Sequence, residues 1–356
     1  MPNLFVSSPE GFSGKTAICL GLALTLRREG YKVGYFKPIG TEMKRVGDRP
    51  VDEDVSLMKA ALNLDAPVDA LAPVIFHDRL LEELVRTPPE TYMLRIEKAF
   101  EKASSGMDLL IVESTHKLSY GCTMGLSGPV LAKRLGSHAV LVSRFNEDAA
   151  LGDILCSAQL LRSLGVPCMG VILNDVDRNI LERVKGLAAP LLQRQNVEVL
   201  GIIPRDVSLT APTAQDVYAA LGGEVLATPE KMSNLVESFV VGAMTPDSAL
   251  SYFRRAANKA VITGGDRSDV ALAALETSTS MLILTGNLYP NIMVLAKAEE
   301  KGVPVLLVPY DTYTTVEKLS RITGRVKPED EFRIRAVAKH VEEHVNWRKI
   351  LDMLLK

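Results

Sequence analysis

The stretch Ser7-Ser8-Pro9-Glu10-Gly11-Phe12-Ser13-Gly14-Lys15-Thr16 decides how the rest of the chain is read. The apolar run 4–7 before it reads as a strand. Residues 16–30 after it read as a helix, with apolar side chains at Ile18, Leu20, Leu22, Leu24 and Leu26. A glycine-rich turn between a strand and a helix is the setting of a phosphate loop. Gly11 and Gly14 let the backbone turn its amides toward phosphate oxygens, and the helix N-terminus adds partial positive charge. Lys15 is then placed to pair with the outer phosphates and Thr16 to offer a hydroxyl to magnesium. The strict GxxxxGK[ST] pattern fails at its first position, Pro9, which also lacks a backbone donor.

Working outward, residues 32–38, 109–113, 139–143, 170–173 and 200–203 are short, continuously apolar runs. Such runs predict strands covered on both faces. Helical stretches separate them, for example 153–164 and 180–192. The alternation predicts an α/β fold: a P-loop NTPase-type, doubly wound, mostly parallel sheet. Pro, Ser, Thr and Ala cluster at 204–212. Beyond them, helices at 214–221 and 246–258 flank strands at 259–263, 281–285 and 303–308, which predicts a second, smaller α/β domain. Residues 332–356 read as one or two amphipathic helices. The expected domains are 1–208, 209–325 and a helical tail, 326–356.

With 47% apolar and 24% charged residues, the composition is that of an ordinary globular chain. A net charge of −2 argues against a basic nucleic-acid binder. No run of 18 apolar residues predicts a membrane span, and residues 1–8 lack the features of a signal peptide. Cys19, Cys122, Cys156 and Cys168 lie far apart with no CxxC pair, which favours reduced thiols and a cytoplasmic location.

Two further features bear on chemistry. Lys37 follows the second strand in Tyr35-Phe36-Lys37-Pro38. At the carboxyl end of a parallel strand it faces the ligand crevice, unless it is simply a solvated strand-end lysine. Glu113 ends the run Leu109-Leu110-Ile111-Val112-Glu113, the usual place for a magnesium-contacting acid near a phosphate loop. Asp54 is a second candidate acid, although Asp52-Glu53-Asp54 also suits a charge cluster at a helix start.

Taken together, these pieces resemble the dethiobiotin synthetase branch of P-loop proteins, which includes the ligase domain of cobyrinic acid a,c-diamide synthases. The resemblance covers about residues 1–208. It implies a phosphate loop at 8–16, with Glu10, Gly11, Ser13, Gly14, Lys15 and Thr16 around the nucleotide. It implies that Lys37 contacts phosphate and substrate beside Lys15, and that Thr16, Asp54 and Glu113 hold Mg2+. Asn174 in Gly170-Val171-Ile172-Leu173-Asn174 takes the place of the base reader for ATP. Pro204 in Leu200-Gly201-Ile202-Ile203-Pro204 takes the place of the residue closing the pocket. The family's glycine-rich loop after the strand acid is absent: Glu113 is followed by Ser114-Thr115-His116-Lys117. That loop helps to hold the diamine substrate of dethiobiotin synthetase, so diaminopelargonate is not the expected substrate. His116 there reads as a substrate contact or as a solvated loop histidine.

The second half, with Val261-Ile262-Thr263-Gly264-Gly265-Asp266-Arg267-Ser268-Asp269 and Leu282-Ile283-Leu284-Thr285-Gly286-Asn287, resembles the DRTGG domain. Gly264, Asp266, Arg267, Thr285 and Gly286 form two strand-end turns suited to a second, nucleotide-like ligand, Arg267 offering a planar fork for phosphate or carboxylate. Alternatively, Asp266 and Arg267 cap and brace the helix 270–275. The domain pairing resembles the N-terminal regulatory half of long bacterial phosphotransacetylases. It implies an ATP- and Mg2+-binding regulator, homodimeric, partnered with an enzyme of acetyl-phosphate or acetyl-CoA metabolism. The other reading is an ATP-dependent ligase activating a carboxylate or carbamate. His340-Val341-Glu342-Glu343-His344 matches a metallopeptidase string but suits an exposed helix face.

Overall fold

Six apolar runs pair into one sheet: β1 (Asn3–Ser7), β2 (Val33–Phe36), β3 (Leu109–Glu113), β4 (His138–Arg144), β5 (Cys168–Val176) and β6 (Val199–Pro204). In the computed structural model they lie in the order β6-β5-β4-β1-β3-β2, all parallel. Every residue is described except 42, 47–48, 77–85, 321, 323 and 325; the side chains of 43–46 and 49–50 are likewise left out. β1 is buried along its whole length, as its unbroken apolar sequence requires. The chain leaves β1 for β2, returns to β3 beside β1, then crosses to β4 on the other side. The sheet therefore changes direction at β1, and the crevice beyond its carboxyl end is where such sheets bind ligands. Residues 8–14 cross that crevice.

Helix α1 (Lys15–Arg28) begins at Gly14 in the left-handed region. Its apolar residues do not follow a single 3.6-residue stripe, and a helix apolar on most of its circumference must be covered on more than one side. The cover comes from the tail. Helix 331–344 packs along α1, close enough that a Cβ on Gly21 would lie 2.3 Å from Val341 Cγ2 and 3.1 Å from the Val337 carbonyl. The chain then meets the free edge of β6: Gly201 and Val345 form an antiparallel bridge, and Asn346 N–H donates to the Leu200 carbonyl at 2.7 Å. Helix 347–354 buries Trp347, Ile350, Leu351 and Leu354. Residues 326–356, set apart as a tail by sequence, thus form one compact unit with 1–205. The expected helix 180–192 is broken, with a π turn at Val184–Ala188 between short helical pieces. Gly186 and Pro190 supply the reason, one weakening the helix and the other lacking an N–H to close it.

The second unit, 206–325, carries β7 (Glu224–Ala227), β8 (Ser238–Val241), β9 (Lys259–Gly264), β10 (Thr279–Thr285) and β11 (Val305–Leu307). The order is β7-β11-β10-β9-β8, with only β7 antiparallel to its neighbour. Alternate residues feed separate cores on the two faces. Val261, Leu282 and Leu284 go to one, and Ala260, Ile262, Met281, Ile283 and Leu306 to the other. β7 and β8 escaped the sequence reading because they are half-exposed edge strands without a buried run. Among the described residues no helix is long and apolar enough to cross a membrane.

The Gly21 contact gives a direct test of the tail's place. Gly21→Val forces a branched side chain into Val341 and should lower the unfolding free energy by about 1–3 kcal/mol, as overpacking does. A urea titration checks it; an unchanged midpoint would mean the tail is not seated on α1.

Candidate functional site

The parallel register brings the ends of β1, β2 and β3 together, since Val6 pairs with Glu113 and Phe36 with Val112. Ser8, Lys37 and Glu113 therefore emerge side by side. Lys15 and Thr16 open α1 above them. Thr16 Oγ1 donates to Glu113 Oε1 at 2.6 Å, and the Tyr35 hydroxyl donates to Glu113 Oε2 at 2.8 Å. Lys15 Nζ, buried, donates to the His116 carbonyl at 2.9 Å. Lys37 is only 1% exposed, so it is no solvated strand-end lysine. Its ammonium pairs with Asp52 at 3.0 Å and also with Asp54. Lys15, Thr16, Lys37, Asp54 and Glu113, with Tyr35 and Asp52, thus belong to one polar cluster, buried except for the half-buried Thr16 and Asp54.

Sequence reasoning undervalued two members of that cluster. Asp52 is fully buried, accepts from Thr41 N–H and Val55 N–H, and caps helix α2 (Glu53–Ala61). The helix-start reading of Asp52-Glu53-Asp54 therefore holds for Asp52, which caps α2 while it neutralises Lys37. Tyr35 gave no signal beyond its place in a strand. Only the register of β2 on β3 turns its hydroxyl to Glu113.

Burial of these charges sets their proton affinities. Burial alone would lower the pKa of Lys37, but Asp54, Glu113 and Asp52 outweigh it and hold the ammonium above its usual range. Burial lowers Lys15, partly offset by Glu113. Burial, reinforced by the nearby Asp54 charge, pushes the Glu113 carboxyl from an ordinary 4.5 up to about 7, despite Lys37 and its two hydroxyl donors.

The loop itself is shaped from both sides. Gly14 has φ +87°, and a Cβ there would lie 2.3 Å from Asn174 Nδ2. Asn174 is turned to the loop, its Nδ2 donating to the Ser13 carbonyl at 2.9 Å. Glu10 reaches the other way, Oε1 accepting from Arg144 N–H at 2.7 Å. The Ser8 hydroxyl donates to the Glu10 carbonyl and accepts from Glu10 N–H. With Pro9 lacking a donor, the first half of the loop has little left for a ligand. Gly11 has open space around its Cα, and Pro204 closes β6 opposite Val176.

The arrangement fits a bound phosphate chain. No side chain caps the N-terminus of α1, so its first amides await a partner. The Ser13 hydroxyl is buried with no hydrogen-bond partner, a costly state that a ligand oxygen would relieve. Hard oxygen donors at Thr16, Asp54 and Glu113 suit Mg2+, which keeps several waters and takes few protein ligands.

In the second unit the two glycine turns are closed on themselves. Gly265 N–H donates to the Thr285 carbonyl, Arg267 N–H to Gly264, Gly286 N–H to Tyr310 and Asn287 N–H to Val308. A Cβ on Gly265 would lie 1.6 Å from the Leu288 carbonyl, so this glycine serves close packing. Those amides are spent inside the fold rather than offered to an anion. Arg267 pairs with Asp269 at 3.1 Å and donates to the Met244 carbonyl at 3.0 Å, bracing helix Ser268–Leu275. Thr285 is buried, its hydroxyl 3.1 Å from that of Thr312. Asp266 is exposed beside Gly264.

A family model described as an AAA domain matches residues 2–213, and one described as a DRTGG domain matches 216–322. The phosphate acetyltransferase of Nitratidesulfovibrio vulgaris is 26% identical, covering 99% of this chain and 52% of that protein. That of Pseudomonas putida is 29% identical, covering 97% and 51%. The chain spans about half the length of the curated relatives it matches. Among solved structures, the septum site-determining protein MinD of Pyrococcus horikoshii, complexed with Mg-ADP, is similar at TM-score 0.37. It is 20% identical over 58% of this chain and 82% of that one.

The raised Glu113 has a measurable consequence. Between pH 4.5 and about 7 the folded chain holds a proton that the unfolded chain has lost. Stability from this group is therefore complete below pH 4.5 and is lost as pH rises through about 7. Over that window the loss should come to roughly 3 kcal/mol. Glu113→Gln removes that component, so denaturation midpoints followed across the window should fall more steeply in the wild type than in the variant. Parallel slopes would show that Glu113 titrates normally.

Proposed function

This chain belongs to the AAA-domain family and carries a DRTGG domain after its P-loop unit, and from that premise we propose that it is a Mg-ATP-binding regulatory protein. The observation that carries the reading is the phosphate loop: a buried Lys15, an uncapped α1 and a buried, unpartnered Ser13 hydroxyl. Lys15 and the α1 amides would hold the phosphates, and Thr16, Asp54 and Glu113 would hold Mg2+. A bound magnesium ion would neutralise phosphate charge. Asn174 and Pro204 border the side of the crevice left for the base.

Two features favour regulation over turnover. Lys37 is engaged by two carboxylates, Asp52 and Asp54, so its charge is not spare for a transferred phosphoryl group. The loop that would hold a diamine is replaced by Ser114–Lys117, whose His116 carbonyl takes Lys15. In this reading the DRTGG unit senses a second ligand through Asp266 and Arg267, the pair of units works as a homodimer in the cytoplasm, and the partner is an enzyme handling acetyl phosphate or acetyl-CoA.

An ATP-dependent ligase is the second reading. It draws on Lys15 and Lys37 lying close enough for the Lys37 charge to lower the proton affinity of Lys15, the arrangement a phosphoryl-transfer site needs.

Binding of Mg-ATP to the full chain, paired with ADP release in the presence of pooled amines and carboxylic acids, separates the two. The expected result is ATP binding that Lys15→Ala weakens by at least about tenfold, roughly 1.4 kcal/mol, with negligible ADP release. Release stimulated by the pool and lost in Lys15→Ala would replace the regulator with a ligase. Equal ATP affinity in both proteins would remove the phosphate loop as the site.

A further inference from the structure

The two ends of the phosphate loop are tied to adjacent residues of neighbouring strands, and those ties meet at one side chain. Glu10 Oε1 accepts from Arg144 N–H at 2.7 Å and from the Ser143 hydroxyl at 3.4 Å. Asn174 Nδ2 holds the Ser13 carbonyl at 2.9 Å. Arg144 and Asn174 are direct partners in the β4–β5 ladder. Asp175, next in the chain, closes the ring. Its Oδ2 lies 3.7 Å from Arg144 Nε, and its Oδ1 accepts from Arg205 Nε at 2.9 Å. Arg205 also donates to Asp175 Oδ2 at 3.3 Å and to Asn146 Oδ1 at 3.2 Å, and its own N–H is held by the Val176 carbonyl at 2.7 Å.

Asp175 sits at φ +55°. Only a few per cent of non-glycine residues do so, aspartate and asparagine more readily than others. Strained backbone of this kind persists where its surroundings hold it, often beside a ligand site. Here the left-handed residue lets the chain turn just after Asn174, so that the amide stays aimed at the loop while the carboxylate turns to the two arginines.

The geometry points to Asp175 as a positioning residue, a role that rests on the nucleotide reading above. By clamping Arg144 at the end of β4 and Arg205 just past β6 it ties both to the end of β5, and through Glu10 and Asn174 it holds the phosphate loop in its binding shape. A loop already in shape loses less freedom when phosphate arrives. The consequence falls on the phosphates of a nucleotide far more than on its base and sugar.

The test uses the full chain with Asp175→Asn, which keeps the size and the tolerance for positive φ but removes the charge. Arg205→Gln serves as a second variant that cuts the same ring from the other side. The readouts are ATP and adenosine affinity by calorimetry, amide exchange of residues 10–16 without nucleotide, and the urea midpoint. We expect ATP to bind about tenfold more weakly, adenosine to lose much less, and loop amides to exchange faster while the midpoint holds. ATP affinity within about twofold of wild type together with unchanged loop exchange would overturn the role. So would a lowered midpoint with exchange rising throughout the chain, which marks a merely structural ion pair. If wild-type protein binds no ATP, the nucleotide reading fails by itself; faster loop exchange in Asp175→Asn would still establish the brace, and unchanged exchange would dismiss it.

Discussion

Everything at the head of the first sheet depends on one constraint: charges placed among apolar strands must find partners there. β1, β2 and β3 are buried on both faces, so Lys37 and Glu113, at or just past their ends, cannot rely on water. Lys37 is neutralised by Asp52 and Asp54, while Glu113 takes hydroxyl hydrogen bonds from Thr16 and Tyr35. Removing one partner from a buried pair of this kind costs about 3–5 kcal/mol. The cluster therefore fixes where α1 and α2 begin, because Thr16 lies in the first turn of one and Asp52 caps the other. The side chains proposed to meet phosphate and metal are the same ones that hold this end of the sheet together.

The phosphate loop shows how this works in a short span. Pro9 removes an amide and Ser8 occupies the next one, so the loop's early residues serve its own geometry. Its later residues keep the uncapped helix start and the unpartnered Ser13 hydroxyl. The left-handed Gly14 is required twice over, by its φ and by the Asn174 amide that fills the space a side chain would need. Asn174 thereby acts on the loop backbone, a role its place at the end of an apolar strand did not suggest.

The second unit reverses the lesson of the first. Its glycine turns look in sequence like anion cradles, yet their amides are used to tie β9, β10 and the segment after β11 to one another. Glycine appears there because backbones approach closely, as Leu288 does at Gly265. The same residue type leads to an uncapped helix start in one unit and to closely packed backbones in the other, and only the hydrogen-bond partners tell them apart.

The sequence by itself determined the strand–loop–helix motif, the parallel α/β class, the presence of a second α/β unit and the candidacy of Lys15, Thr16, Lys37 and Glu113. These follow from local rules: continuous apolar runs make covered strands, and glycine before Lys-Thr makes a turn at a helix start. Tertiary structure alone decided that Lys37 is buried and paired, that Tyr35 touches Glu113, and that Arg144, Asp175 and Arg205 close a ring around the loop. It also decided that the tail covers α1 and that the edge strands β7 and β8 join the second sheet. Each of these joins residues tens to hundreds of positions apart, through strand register or the burial of a helix face. Strands covered on both faces carry no alternation, so nothing in their apolar runs marks which residue will stand beside which across the sheet.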